Sequence, residues 1–204
     1  MFSSLQLVLK AAMNLGLLGT TILLTLTLLW LQTAVKALNS LHLEQLRQTG
    51  TCVGCDLSSA QFPDALLSNT DLTEANLTGA NFLRADLRRT KLIRANLAAA
   101  SLISANLTGA NLTSSNLKVA SLIRAKLIRT NLAGAQLSQA KLASADLTRA
   151  NLREADLKSA DLSNANLNSA DLRGADLRNA DLENAILTNA KLKNAIMPDG
   201  SLSP

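Results

Sequence analysis

A period of five residues governs the chain from Cys55 to Leu192. The unit reads Ala-(Asp/Asn)-Leu-x-x, and Leu or Phe fills all 28 central positions from Leu57 onward. Two residues before each centre the side chain is Ala in 23 of the 28 units, and Cys, Thr or Ser in the others. A helix repeats apolar residues three or four apart and a strand two apart, so neither element explains this period. A chain that turns a corner once per unit does explain it.

The spacing within the unit predicts which side chains face inward. Residues two apart point to the same side of a short extended segment, so the Ala-type residue and the Leu share one interior. No charged residue occupies either position between Cys55 and Leu192, because a charge buried without a partner is costly. Five glycines lie two residues after a centre, where a tight turn uses a positive φ angle. Carboxylates such as Asp156 and Asp176 are expected at solvent-facing corners.

The array resembles the pentapeptide-repeat proteins, on units such as 55–59 (Cys-Asp-Leu-Ser-Ser) and 75–79 (Ala-Asn-Leu-Thr-Gly), over about two-thirds of the chain. The resemblance implies an all-β solenoid, a right-handed quadrilateral β-helix in which four pentapeptides make one square coil. The 28 units then make about seven coils, stacked roughly 4.8 Å apart.

The sequence divides into four predicted segments: a signal peptide or membrane anchor (1–37), a capping helix (38–50), the repeat β-helix (51–197) and a tail (198–204). Residues 11–35 carry no charge and are long enough to cross a membrane as a helix. Two interpretations stay open, a leader cut after Ala37 and an uncleaved anchor. Both place the repeats on the far side of a membrane. The resemblance, closest to cyanobacterial members with a leader, suggests the thylakoid lumen or the periplasm.

The two ends of a stacked solenoid expose unpaired backbone. At the first end, leucines between Leu38 and Leu46 give a partly helical apolar pattern, with Asn39 or Ser40 as the N-cap and Gly50 as the stop. At the other end the register drifts after Leu192, and Pro198 and Gly200 interrupt it. We therefore expect an under-capped C-terminal end that is a candidate for homodimer formation.

Cys52 and Cys55 form the one chemically suggestive motif, Cys-Val-Gly-Cys. Three interpretations remain open: a structural disulfide in an oxidising compartment, two thiols acting as small core residues, and a redox-active pair. His42 is the single histidine and organises no nucleophile and base, and two Cys with one His are too few for zinc. We therefore expect no enzyme activity, no cofactor and no metal.

Charge argues against nucleic acid as a partner. The net charge is +5, or +3 without residues 1–37, which contain Lys10 and Lys36. The family members that protect gyrase imitate DNA with an acidic surface, which this mildly basic chain does not match. Aromatic residues are 2% of the chain and Tyr is absent, so stacking platforms for bases are missing as well.

One surface feature exceeds what the repeat requires. Residues twenty apart lie on one face if four units make a coil, and aliphatic residues then stack at a normally polar position, beside arginines. This candidate protein-binding surface comprises Leu83, Arg84, Ile103, Ile123, Arg124, Ile128 and Arg129. Apolar residues rimmed by Arg are typical of protein interfaces, although tolerated drift within a repeat explains them too. The first hypothesis is a non-catalytic scaffold that binds an unidentified protein; the alternative is a redox-linked protein using Cys52 and Cys55.

Overall fold

The computed structural model of the protein describes residues 40–204. The predicted leader or anchor, including residues 11–35, and the N-cap candidate Asn39 lie outside these residues. Between residues 40 and 204 there is no helix long and apolar enough to cross a membrane.

Helix α1 covers residues 40–49, and Gly50 follows it with φ +64° and an N–H that donates to Leu46 O at 2.9 Å. From there on, within the described residues, extended structure consists of single bridge residues at every fifth position from Thr51 to Ile196, followed by Leu202, which pairs antiparallel with Ile196. Each of the 26 parallel bridges joins residues twenty apart. Four pentapeptides therefore make one coil, as the family resemblance implies.

The backbone hydrogen bonds show how one unit connects to its neighbours. Leu77 N–H donates to Asn96 O of the next coil at 2.7 Å, and Asn96 N–H donates back to Ala75 O at 2.9 Å. Within the unit, Ala80 N–H closes the turn on Leu77 O at 3.0 Å. The bonds between coils satisfy the backbone groups on each flat side, so the stacking of coils replaces the pairing of long strands.

The turns whose third residues run from Gly54 to Asn194 share one backbone conformation. The third turn residue has a positive φ angle at five glycines and also at 24 residues that are not glycine. A positive φ at this position alone is the pattern of a type II turn. Most of these residues are Asn, Ser or Arg, but Val119 (φ 60°) is β-branched, and for such a residue the left-handed region is strained.

The interior contains one large and one small side chain per unit. The Leu and Ala side chains of the central coils are at most 1% exposed, whereas Leu182, Leu187 and Leu192 in the last coil are half-buried. Phe62 and Phe82 stack one coil apart with ring centroids 5.0 Å apart and an interplanar angle of 11°. This agrees with the predicted inward positions and leaves no interior channel for a ligand, because the described core is filled.

The two ends of the array are finished differently. Leu46 of α1 is buried in the core, and Nδ1 of His42 lies 3.1 Å from both N and O of Asp56. At the far end Ser203 N–H donates to Ala195 O at 2.8 Å, so the last residues fold back over one side of the final coil. The other sides remain open in the described structure: Leu182, Leu187 and Leu192 N–H have no partner of the kind that Leu162 N–H finds in Asp181 O at 2.8 Å.

Candidate binding surface

The backbone ladder stacks the predicted aliphatic residues in one column. Arg84 N–H donates to Ile103 O at 3.0 Å, and Ser104 N–H donates to Ile123 O at 2.9 Å. Leu83, Ile103 and Ile123 are therefore the second turn residues, directly before the residue with positive φ, in three consecutive coils. Each is half-buried, so this column is a shallow apolar strip along one edge of the array.

The two arginines beside this strip differ in their partners. Arg84 binds Asp64 of the preceding coil through two hydrogen bonds of 2.7 and 2.6 Å. This pair holds the pKa of the Asp64 carboxyl below its ordinary value, chiefly through the hydrogen bonds. Both side chains are 58% exposed, so the pair adds little to stability. Arg124, two coils further on, makes no ion pair within the described residues.

Ile128 and Arg129 lie at the next corner, one side of the coil away. They line a shallow groove of about 380 Å³ together with Arg149 and polar residues of the adjoining coils. The sequence analysis did not single out Arg149, although it follows Arg129 by twenty residues and counting along the coil would have found it. The structure thus brings the predicted residues onto two neighbouring corners and the side between them.

The carboxylates expected at corners lie elsewhere. Asp156 and Asp176 are themselves bridge residues on the flat sides, and this expectation was wrong. The reason is local hydrogen bonding: Arg178 N–H donates to Asp176 Oδ1 at 3.2 Å, and Lys158 N–H donates to Asp156 Oδ1 at 3.2 Å. A side chain that accepts the N–H two residues on is what Asp and Asn supply in turns. These residues therefore prepare the turn that follows them.

Asp176 is the most strongly perturbed of these carboxyls. The hydrogen bonds from the Arg178 side chain, assisted by its backbone N–H and by nearby Lys158, lower the pKa of Asp176 to about 2. Arg178 Nη2 lies 2.6 Å from Asp176 Oδ2. This is an ion pair on a flat side of the solenoid, and Lys158 links it to the neighbouring Asp156, with Nζ 3.5 Å from Asp176 Oδ2 and 3.3 Å from Asp156 Oδ1. These four side chains include no nucleophile, so an ion-pair network accounts for the shifted pKa.

The structure joins Cys52 and Cys55 as a disulfide, with the Sγ atoms 2.03 Å apart. Their residues are 0% and 4% exposed. Cys52 occupies a central position and Cys55 an inward small position, as their register predicts. Within residues 40–204 no three His, Cys, Asp or Glu side chains come together as metal ligands.

The pentapeptide-repeat family model matches the chain in eight copies over residues 52–92, 80–118, 120–158 and 160–197. None of the curated proteins matches the sequence significantly. Among solved structures, the chain is similar to HetL, a pentapeptide repeat protein involved in heterocyst differentiation regulation from the cyanobacterium Nostoc sp. strain PCC 7120. The identity is 39%, the match covers 75% of this chain and 78% of HetL, and the TM-score is 0.55.

QnrB1, a plasmid-mediated fluoroquinolone resistance protein, is similar in fold at 22% identity. That match covers 71% of this chain and 80% of QnrB1, with a TM-score of 0.57. The family match spans most of the chain and coincides with the twenty-residue ladder seen in the backbone. The protein therefore belongs to the pentapeptide-repeat family, whose members fold as a right-handed β-helix.

Proposed function

We propose that this protein is a non-catalytic scaffold that binds another protein through the outer surface of its β-helix. The observation that carries this proposal is the apolar column of Leu83, Ile103 and Ile123, with Arg84 and Arg124 one residue further along each turn. Aliphatic residues next to arginines are a combination typical of surfaces that bind other proteins. HetL, described as involved in regulation of heterocyst differentiation, makes a regulatory role a reasonable expectation for a relative.

The test replaces Ile103 and Ile123 by Asp in one variant. Both residues lie on the outside of turns, so we expect an unchanged circular-dichroism spectrum and the loss of the bound partner in a pull-down from the native cell. The matched control is Ala98→Asp with Ala133→Asp, which places the same charges at the same turn position on other corners. Equal partner recovery by both variants would refute the proposal.

The location of this scaffold is part of the same proposal. A leader or anchor in residues 1–37 would deliver the repeats to the thylakoid lumen or the periplasm, where a Cys52–Cys55 disulfide persists. Cell fractionation followed by N-terminal sequencing tests this. A mature protein that begins at Leu38 means a cleaved leader, a full-length membrane-bound protein means an anchor, and a full-length protein in the cytosolic fraction contradicts both.

The redox alternative is the weaker proposal because both sulfurs are buried. Thiol–disulfide exchange requires a thiolate to reach a sulfur, and here the first coil would have to open. A Cys52→Ser/Cys55→Ser variant separates the two functions. Scaffold function predicts partner binding with reduced stability, whereas redox function predicts loss of all activity in the cell.

We also propose that the open C-terminal end mediates homodimer formation. Ile186 is 50% exposed and Leu202 is 67% exposed; Ile186 directly precedes the half-buried Leu187, and Leu202 pairs with Ile196. Light scattering during gel filtration should show a dimer that becomes a monomer in Ile186→Lys with Leu202→Lys. A monomeric unaltered protein at high concentration would refute this proposal.

A further inference from the structure

The positive charge of the solenoid is concentrated on one side. We call this the basic side. It comprises the outward-facing residues of one six-residue segment in each coil, namely 64–69, 84–89, 104–109, 124–129, 144–149, 164–169 and 184–189. It contains seven of the 18 Lys and Arg of residues 40–204 and three of the 15 Asp and Glu. The basic side therefore has a net charge of +4, and everything else in residues 40–204 has −1. The seven cations are Arg84, Arg88, Arg89, Arg124, Lys126, Arg129 and Arg149.

Five of these seven cations make no ion pair within residues 40–204. Arg84 and Arg88 bind Asp64 and Asp86, with closest distances of 2.6 Å in each pair. The other five form no ion pair in the described part of the chain: Arg89, Arg124, Lys126, Arg129 and Arg149. The basic side thus has ion pairs with its own carboxylates only near the N-terminal end. Its third carboxylate, Asp146, stacks on Lys126 in the backbone ladder, and cations without an ion pair line the middle of this side.

Two of the free cations stand next to each other in consecutive coils. Arg129 N–H donates to Thr148 O at 3.0 Å, which places Arg149 directly after the residue stacked on Ile128. Stacked coils lie roughly 4.8 Å apart, so these two exposed arginine side chains leave the backbone from neighbouring positions. They line the groove of about 380 Å³, whose other residues are Thr108, Ile128, Thr148, Asn166 and Asn168. An anion in this groove would relieve the repulsion between the guanidinium groups and accept directed hydrogen bonds from them.

We infer that the basic side binds an acidic segment of a protein, with carboxylates on Arg129 and Arg149 and aliphatic side chains on the neighbouring isoleucine column. This inference rests on the proposed scaffold function and specifies its partner. The hydroxyls of Thr108 and Thr148 already donate to Asn106 and Asp146, whereas the amide groups of Asn166 and Asn168 in the groove lining offer N–H donors suited to a polypeptide. Nucleic acid is disfavoured because Phe62 and Phe82, the aromatic side chains of the described coils, are buried and offer no stacking surface. A lipid surface is disfavoured because Leu83, Ile103 and Ile123 are half-buried and do not project far enough to insert.

The test measures binding of a fluorescein-labelled peptide of mixed Glu, Asp and Leu to the purified full chain by fluorescence anisotropy. We expect saturable binding that weakens as salt is raised. Arg129→Glu with Arg149→Glu should weaken binding by about tenfold or more, because two charge-assisted contacts become repulsive. The matched control is Lys118→Glu with Lys141→Glu, which changes the net charge equally on other sides, where both lysines are also unpaired and exposed. We expect the control to change the affinity by less than about twofold.

Three outcomes would overturn the inference. They are no peptide binding at low salt, equal losses in the two double variants, and tighter binding of phosphatidylglycerol vesicles or single-stranded DNA than of the peptide. Circular dichroism of each variant shows that a loss of binding is not a loss of folding. If the peptide test fails but the variant Ile103→Asp with Ile123→Asp still loses its partner in the pull-down, the proposed scaffold function is retained and only the acidic partner is refuted. If that variant retains its partner while the peptide binds the basic side, the apolar column is refuted and the charged groove is not.

Discussion

Ser115 is the one inward polar residue of the described structure whose side chain makes no hydrogen bond. It is 0% exposed and lies in a column of alanines, between Ala95 and Ala135, and its Oγ has no partner. The inward threonines are different. Thr130 is also fully buried, but its Oγ1 donates to Leu107 O at 2.7 Å. Replacing Ser115 by Ala removes a buried hydroxyl that gains nothing and restores the residue used in most units.

The size of the effect follows from the cost of an unsatisfied polar group. Burying a hydroxyl without a hydrogen bond costs about 1–3 kcal/mol. The change to Ala also removes the packing contacts of one oxygen atom, which offsets part of this gain. We therefore expect Ser115→Ala to raise the free energy of unfolding by about 1 kcal/mol. For a domain of this size that raises the melting temperature by roughly 2–4 °C.

Thr130→Val is the matched control because it keeps the branched shape and removes a hydroxyl that is hydrogen-bonded. It should lower the free energy of unfolding by about 1 kcal/mol. Urea titrations followed by circular dichroism give the midpoints of both variants and of the unaltered protein. Midpoints are compared because a solenoid need not unfold in a single step. If Ser115→Ala lowers the midpoint as Thr130→Val does, the Ser115 hydroxyl is hydrogen-bonded in solution and this account of the interior is wrong.

Three further changes test other parts of the structure. Val119→Asn should raise the free energy of unfolding by about 1 kcal/mol, because Asn tolerates the left-handed conformation that strains a β-branched residue; Lys118→Asn, one turn position earlier, should have no comparable effect, and equal effects would contradict the strain argument. His42→Ala should lower stability by about 1 kcal/mol by removing the hydrogen bond to the backbone of Asp56, with hydrogen exchange accelerated in the first coil; unaltered exchange there would show that the imidazole protects nothing. Asp176→Asn should reduce stability slightly at neutral pH, and the difference should vanish on acidification. The pKa of Asp176 is lowered to about 2 in the folded protein, so its contribution is present above the unfolded pKa of about 3.9 and is lost as the pH falls toward 2. A difference that persists at the acidic end would contradict this assignment.

The interior could be predicted from the sequence because its constraints repeat. An inward position excludes charge and tolerates one size of side chain, and 28 copies of that constraint make the two inward residues of each unit recognisable. The stacking of Leu83, Ile103 and Ile123 follows once the coil length of twenty residues is known. That coil length came from the family resemblance, because a period of five by itself is compatible with more than one number of sides.

The turns were only partly predictable. Glycine signalled a positive φ angle at five turns, yet the structure requires it at all of them, including Val119 and many arginines. The preference of a residue type for a positive φ angle is a local property. Here the hydrogen bonds between coils impose the turn conformation even on residue types that disfavour it. The carboxylates were misplaced for a related reason, since the role of Asp176 depends on the backbone N–H of Arg178, whose direction no sequence pattern reveals.

The repeating sequence alone determined that large and small apolar side chains alternate inward around a chain that turns once per unit. The tertiary structure decided which charges find partners. Arg84 meets Asp64 because one coil lies above the other, whereas Arg129 and Arg149 line a groove whose lining contains no carboxylate. Whether a repeat position is buried can be inferred from the residue types that occupy it. Ion pairing depends instead on the distance between side chains on different coils, and only the folded backbone fixes that distance.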